Sequence, residues 1–398
     1  MNICIWTNSI FKLGGTKRVI TVLANQLVNK NKITIVTHDL PEEEDRAMYG
    51  LDKRIQVEFL DLNNFRYEKG SAAGYLNRFQ LKINNKTGRY NKDEKLEKLK
   101  NIVMPQKFQD RWVEYYNSKD YDVIIATAGN ALYLAFIADR LKAKTVGWQH
   151  NDYNTYVNQP GILFWKKEKL IKYYFSKLDK YVVLNDYDKF EFKKNLDFDC
   201  VAMGNPRSFV SEQKTDLSQK QFFAAGRFVE QKGFKLMIKA FAEFCKVDDE
   251  WNLTIAGDGK LRKSILDEVW KNNLQERVHF IGMTNNVQKY YLQSSIYLLS
   301  SKWEGWGLVV IEAFEMGMPV IAFDITPMDL LITNGEDGLI VPQFDYYAFA
   351  AAMVKIAHDD KLRESMGKKA IETAKLYSEE RIASEWQTLL ESLDADGH

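Results

Sequence analysis

Apolar residues fall into short runs, separated by stretches in which they recur every three or four positions. Runs rich in β-branched and aromatic residues occupy 2–7, 33–37, 57–60, 122–127, 144–148 and 181–184. A second set occupies 221–225, 252–256, 278–281, 296–300, 319–323 and 338–341. Amphipathic stretches at 16–29, 131–141, 233–246, 261–272 and 308–316 lie between several of them. Strands that are apolar almost throughout, alternating with amphipathic helices, belong to parallel sheets covered on both faces. Two such sets predict an α/β protein of two doubly wound, Rossmann-like domains, 1–205 and 206–377. The turn Gly204-Asn205-Pro206 separates them and a polar stretch follows. A length of 398 residues supports two cores rather than one. In open α/β sheets ligands bind beyond the carboxyl ends of the strands. Two such edges facing each other would make a cleft, and the active site is expected there.

Composition narrows the picture further. The formal net charge is +1, so no global field calls for nucleic acid, and none is expected as a partner. Cys4, Cys200 and Cys245 are widely spaced without a CxxC, which argues against a thiolate zinc site or a disulfide framework. The first residues read as a buried strand rather than a signal peptide, and no run approaches 18 apolar residues. A cytoplasmic enzyme is the expectation. The last residues, 394–398, read as an unstructured tail.

Three loops carry candidate chemistry. The loop from Asn8 to Thr16 contains Gly14-Gly15 just before a helix, so backbone amides and the helix start can approach a phosphate. A tight turn without a ligand fits equally well. Gly226-Arg227-Phe228-Val229-Glu230-Gln231-Lys232-Gly233 follows the first strand of the second set. Its Arg and Lys suit a diphosphate leaving group, with a solvated loop as the alternative. Glu304-Gly305-Trp306-Gly307-Leu308-Val309-Val310-Ile311-Glu312 places two carboxylates eight residues apart around a glycine loop that opens a helix. There amides can hold sugar hydroxyls and a carboxylate can accept both hydroxyls of a ribose. A helix-capping loop with a surface Glu is the alternative.

Together with Lys17-Arg18-Val19 and Gly257-Asp258-Gly259, these motifs resemble glycosyltransferase family 4, retaining enzymes of the GT-B architecture, over nearly the whole chain. The resemblance implies two facing Rossmann-like domains, with a C-terminal helix over 378–393 crossing back to the first. It implies donor binding by Gly14 and Gly15, and diphosphate binding and leaving-group stabilisation by Arg227 and Lys232. Glu304 would touch the transferred sugar, Gly305, Trp306, Gly307 and Leu308 would hold its hydroxyls or the phosphate through their amides, and Glu312 would hold the ribose. His150, at a strand end, would face the donor sugar, with a buried structural histidine as the alternative. Gly282, Met283 and Thr284 would contact the base. Phe is usual where Trp306 stands, which leaves the hexose open, and Asn205-Pro206 favours UDP over GDP.

The reaction so implied is a front-face transfer of a hexose or N-acetylhexosamine to a saccharide acceptor, in surface polysaccharide or glycan assembly. It needs no metal and no cofactor. Asp186-Tyr187-Asp188 and Asp197-Phe198-Asp199 match a DxD pattern but read as surface carboxylates. Residues 65–107 hold eleven Lys or Arg against four Asp or Glu, and 165–180 hold six against two, both with interleaved aromatics. An anionic membrane face and a lipid-linked acceptor are expected from these, against a solvated helical insertion. An epimerase or hydrolase on the same frame, a non-catalytic nucleotide-sugar sensor, or a transferase acting on a protein or soluble acceptor are the rival functions.

Overall fold

The structure, a computed structural model, describes residues 1–67, 70–160 and 162–395. The chain divides into two compact units. One is Met1–Pro206 with the C-terminal helix Glu379–Ala395, and the other is Arg207–Ser378.

The first unit holds β1 (Asn2–Trp6), β2 (Lys32–Thr37), β3 (Gln56–Phe59), β4 (Val123–Thr127), β5 (Lys144–Trp148), β6 (Lys180–Val183) and β7 (Val201–Ala202). All pair in parallel, in the order β3-β2-β1-β4-β5-β6-β7. Register puts Ile3 and Ile5 between Ile33 and Ile35 on one side and Val123 and Ile125 on the other. All six are fully buried, which is why the run carries no polar alternation. Glu379–Ala395 closes this unit: Trp386 packs edge-on against Trp148 at 4.8 Å, and Gln387 accepts from Asn31 at 2.7 Å.

The second unit holds β8 (Gln221–Ala225), β9 (Asn252–Ala256), β10 (Val278–Gly282), β11 (Ile296–Leu299), β12 (Val320–Phe323) and β13 (Gly338–Val341). These form a parallel sheet in the order β10-β9-β8-β11-β12-β13. Each sheet therefore reverses direction once, between β1 and β4 in the first unit and between β8 and β11 in the second. At such a point the loops leaving the two central strands splay apart and open a crevice at the carboxyl edge.

Three expectations need correcting. The two-residue β7 was not read from the sequence, being too short to leave an apolar pattern. Asp394 and Ala395 lie in the last helix rather than in a tail, and the tail expectation for 396–398 lies outside the described residues. Asp188 is no surface carboxylate: it is fully buried and accepts the Tyr153 amide at 2.7 Å. Burial, opposed in part by that amide, lifts its carboxyl to about 7. Asp197 and Asp199 are exposed and pair with Lys193 at 3.2 and 3.1 Å.

The stretch 65–107 folds as the helices Ala72–Thr87 and Leu96–Val103 and the start of Gln106–Asn117, with Glu68 and Lys69 outside the described residues. No helix among the described residues is long and apolar enough to cross a membrane.

Candidate active site

In the second unit the reversal point is built from the loops after β8 and β11. They are bonded to each other along their length: Lys302 N–H donates to the Gln231 carbonyl at 2.7 Å, Gln231 Nε2 to the Trp303 carbonyl at 3.0 Å, and Ser300 Oγ to the Lys232 carbonyl at 2.9 Å. Gly233, with φ 61°, is where they touch, and a Cβ there would lie 2.0 Å from the Ser300 carbonyl oxygen. The loop after β9 locks onto the same block, because Phe228 N–H donates to the Asp258 carbonyl at 2.8 Å and Leu261 N–H to the Phe228 carbonyl at 3.0 Å.

That block brings Lys232 and Glu304 together across 72 residues of chain. Lys232 Nζ donates to Glu304 Oε1 at 2.5 Å, and Ser301 Oγ donates to the same oxygen at 2.6 Å. Glu304 is 7% exposed. Arg227 stands exposed on the same loop as Lys232 and has no acidic partner among the described residues. The arrangement offers one unpaired guanidinium and one ammonium that is shared with a carboxylate, which suits an anion arriving beside a polar group.

Glu304 is followed by Gly305 and Trp306, both buried. The Trp306 ring meets Tyr377 edge-on at 5.7 Å, and its indole Nε1 is buried without a partner among the described residues. Gly307 caps the helix Leu308–Glu315 at φ 90°, and Leu308 opens it. A Cβ at Gly307 would press within 2.7 Å of Met328 Cε. Glu312 is 6% exposed, one turn into that helix, and accepts from Tyr291 Oη at 3.1 Å. Gly282 ends β10, and Met283 and Thr284 follow it: Gly282 has φ 72° with open space around its Cα, and the Met283 side chain is exposed.

In the first unit, Gly14 and Gly15 stand at the start of the helix Gly15–Leu27. Gly14 N–H donates to Tyr49 Oη at 2.9 Å. The loop before it is fixed by Asp39, which accepts from the Ile10 amide at 2.6 Å, the Phe11 amide at 3.2 Å and Thr37 Oγ1 at 3.0 Å. Burial works against the ionised form of Asp39, yet the Ile10 and Phe11 amides and the neighbouring hydroxyls bring its carboxyl below the ordinary value. His150 lies just beyond β5, 4.4 Å from the Trp148 ring, with Nε2 buried and unpartnered among the described residues. Burial, with the charge of Lys17 adding to it, holds this imidazole down to about 3.

A neutral His150 has a consequence for acid stability. The unfolded chain takes up a proton near the ordinary value of 6.5, whereas the folded chain does not until about 3. Stability supplied by this site is therefore complete above pH 6.5 and is lost as pH falls from there toward 3, at ~1.4 kcal/mol per pH unit at most. His150→Asn should flatten the fall in melting temperature between pH 6.5 and 4.5. An unchanged slope would contradict the buried neutral state.

Asp39, Tyr49, Ser301 and Tyr291 were not read as site residues from the sequence. Asp39, Tyr49 and Tyr291 act on partners that only the fold brings near, although the polar pair His38-Asp39 directly after an apolar strand was a usable signal; Ser301 stands three residues before Glu304, within reach of a local reading. Among the described residues no group of three or more His, Cys, Asp or Glu is placed to hold a metal ion.

Residues 208–373 match the family model described as glycosyl transferases group 1. An uncharacterized glycosyltransferase of Haemophilus influenzae is 28% identical over 275 residues, which cover 67% of this chain and 75% of that protein. The amylovoran biosynthesis glycosyltransferase AmsD of Erwinia amylovora is 26% identical over 230 residues, 56% of this chain and 65% of its own length. Among solved structures, a mutant of S. aureus TarM in complex with Fondaparinux, alpha-GlcNAc-glycerol and UDP superposes with a TM-score of 0.77 at 17% identity, covering 98% of this chain and 99% of that one. The likeness to TarM shows the fold, two Rossmann-like units of the GT-B class. With the group 1 match, these findings support a GT-B glycosyltransferase.

Proposed function

We propose that this chain transfers a hexose or N-acetylhexosamine from a UDP-sugar to a saccharide acceptor carried on a lipid, with retention of anomeric configuration and without a metal ion. The observation that carries the reading is the bonded block at the β8/β11 reversal point, with Arg227 free, Lys232 on Glu304, and Glu312 one helical turn beyond. As the donor binds, its diphosphate takes Arg227 and draws on Lys232, and the Glu304 carboxylate so released accepts hydroxyls of the transferred sugar. The amides from Gly305 to Leu308 donate to that sugar or to the phosphate, and Glu312 holds the ribose. Gly282, Met283 and Thr284 meet the base. In the first unit Gly14, Gly15 and His150 keep the roles the resemblance implies, and a neutral imidazole suits a sugar hydroxyl.

The bond from the anomeric carbon to the diphosphate oxygen breaks as the acceptor hydroxyl attacks the same face. The hydroxyl proton passes to a donor phosphate oxygen, and the growing charge on the diphosphate falls to Arg227 and Lys232. Positioning and charge stabilisation supply the catalysis. The UDP and the alpha-GlcNAc-glycerol in the TarM crystal, and the amylovoran biosynthesis in the AmsD name, support the donor and acceptor classes. The exposed Lys and Arg of 65–107 and 165–180, with Tyr75, Phe79 and Tyr173 exposed among them, support work at an anionic membrane face inside the cell, whereas Ile171, Tyr174 and Phe175 pack in the core and take no part in such a face.

The test is product analysis with a panel of UDP-sugars and saccharide acceptors, in the presence and absence of EDTA. Proton NMR of the product should show the donor's anomeric configuration, and EDTA should leave the rate unchanged. An inverted product, a strict Mn²⁺ requirement, or UDP-sugar turnover that ignores every acceptor would each refute the corresponding part.

A further inference from the structure

His150 owes its place to the residues on either side of it. Before it, the Gln149 amide donates to the Val182 carbonyl at 2.8 Å, and Gln149 Oε1 accepts from Tyr181 Oη at 3.0 Å, so the chain is still bound to β6. After it the sheet ends, and the chain passes into a π-helical turn over Asn154–Asn158. Such single turns are rare and recur at functional sites. Asp152 closes the start of this one by accepting the Thr155 amide at 2.9 Å, and the buried Tyr156 hydroxyl faces the His150 backbone.

A side chain from another element clamps this turn. Asp188, in the first turn of the helix Asp186–Leu196, accepts the Tyr153 amide at 2.7 Å. Asn185 aims it: the Asp188 amide donates to Asn185 Oδ1 at 2.8 Å, and Asn185 Nδ2 donates to Asp188 Oδ2 at 3.4 Å. The Tyr153 ring also meets Phe192 of the same helix edge-on at 4.9 Å. Asp188 is fully buried, and no cation pairs with it among the described residues. The titratable groups that face it are Asp152 on the turn, Glu191 on its own helix, Tyr181 on β6 and Cys200 just before β7. Burial and the two like charges oppose its ionised form, so the carboxyl costs the fold stability. What it secures in return is the backbone three residues beyond His150.

We propose that Asp188 is a positioning residue for His150, which by holding the Tyr153 amide fixes the chain leaving the histidine and so the direction of the imidazole toward the donor sugar. Asp188 touches no substrate and acts through the turn alone. The inference rests on the reading of His150 as the residue that meets that sugar, and it adds what keeps the ring in place.

Imidazole ¹⁵N NMR of the whole protein, labelled at histidine and assigned with His150→Asn, tests it. Asp188→Ala should release the turn, let water reach the ring, and raise the His150 titration midpoint by at least one pH unit. Asp188→Asn keeps an acceptor oxygen for the Tyr153 amide and should leave His150 as it is in the natural protein. Asn185→Ala, which removes the group that aims the carboxyl, should move His150 in the same direction as Asp188→Ala by at least half a unit, and it serves alone if Asp188→Ala does not fold. In kinetics with a working donor, Asp188→Ala should lower kcat at least tenfold with UDP binding unchanged, and Asp188→Asn should restore at least half of kcat. An unmoved His150 in the two alanine variants, or a loss of turnover that Asn does not restore, would overturn the proposal. A displaced His150 with full turnover would overturn its link to the sugar. A natural protein that turns over no UDP-sugar would sink the function proposed above, whereas the His150 titration would still decide whether Asp188 positions the ring.

Discussion

Arg227→Ala is expected to lower turnover by about 10²-fold or more while leaving the melting temperature near that of the natural protein. The side chain is exposed and pairs with no carboxylate among the described residues, so its removal leaves no buried charge behind. On the mechanism proposed above, it loses a contact that strengthens as the diphosphate departs, and a single such contact is worth about 10²–10³ in rate. The signature is a fall in kcat larger than the rise in KM, since the charge on the leaving group grows only during bond breaking. Steady-state kinetics with a working donor and acceptor decide the matter, and unchanged turnover removes Arg227 from the mechanism.

Lys232→Met should behave differently, and the difference follows from the pairing with Glu304. Side-chain exposures of 16% and 8% make this a largely buried ion pair. Removing the ammonium alone strands the Glu304 carboxylate with only Ser301 for company, which costs about 3–5 kcal/mol. The single variant should therefore lose both stability and activity. Adding Glu304→Gln removes the stranded charge, and the double variant should regain most of the stability while staying inactive. Denaturation and kinetics on the same four proteins complete the cycle. If the double variant were as unstable as Lys232→Met, the pair would not be the source of the loss. If it were active, neither group would serve the reaction.

Most strands were readable because they are buried on both faces, so an apolar run marks them; the partly exposed β3 and β10 carry polar residues within the run, and β7 was missed. Ile3 and Ile5, or Phe222 and Leu253, carry that signal without any knowledge of their neighbours. The order of the strands was not readable, and with it went the reversal points that gather the loops. Lys232 and Glu304 each stood out locally, one in a basic loop and the other in a glycine loop. Their contact depends on β8 and β11 being adjacent, a fact that a separation of 72 positions conceals. Asp188 shows the opposite failure. Its surroundings in sequence are polar and charged, and nothing local announces that an amide 35 residues away covers it. The insertion of 65–107 was legible as basic and aromatic, but its packing depends on Phe65 stacking on Trp112 and Tyr67 meeting Phe108. Those meetings leave no trace in spacing.

The helix Glu379–Ala395 seals the first unit, with Trp386 against Trp148 and Trp148 in turn 4.4 Å from His150. That ties the strand of Trp148 to a helix made much later, in time as well as in space. A ribosome adding about 5–20 residues each second needs roughly 10–30 s to travel from Pro206 to Glu379. During that interval the second unit can fold in full, while the first waits with the Trp148 face uncovered. A nascent chain stalled or cleaved before Glu379 would carry an intact second unit and an unfinished first one, exposed to chaperones and proteases at the very strand that leads to His150.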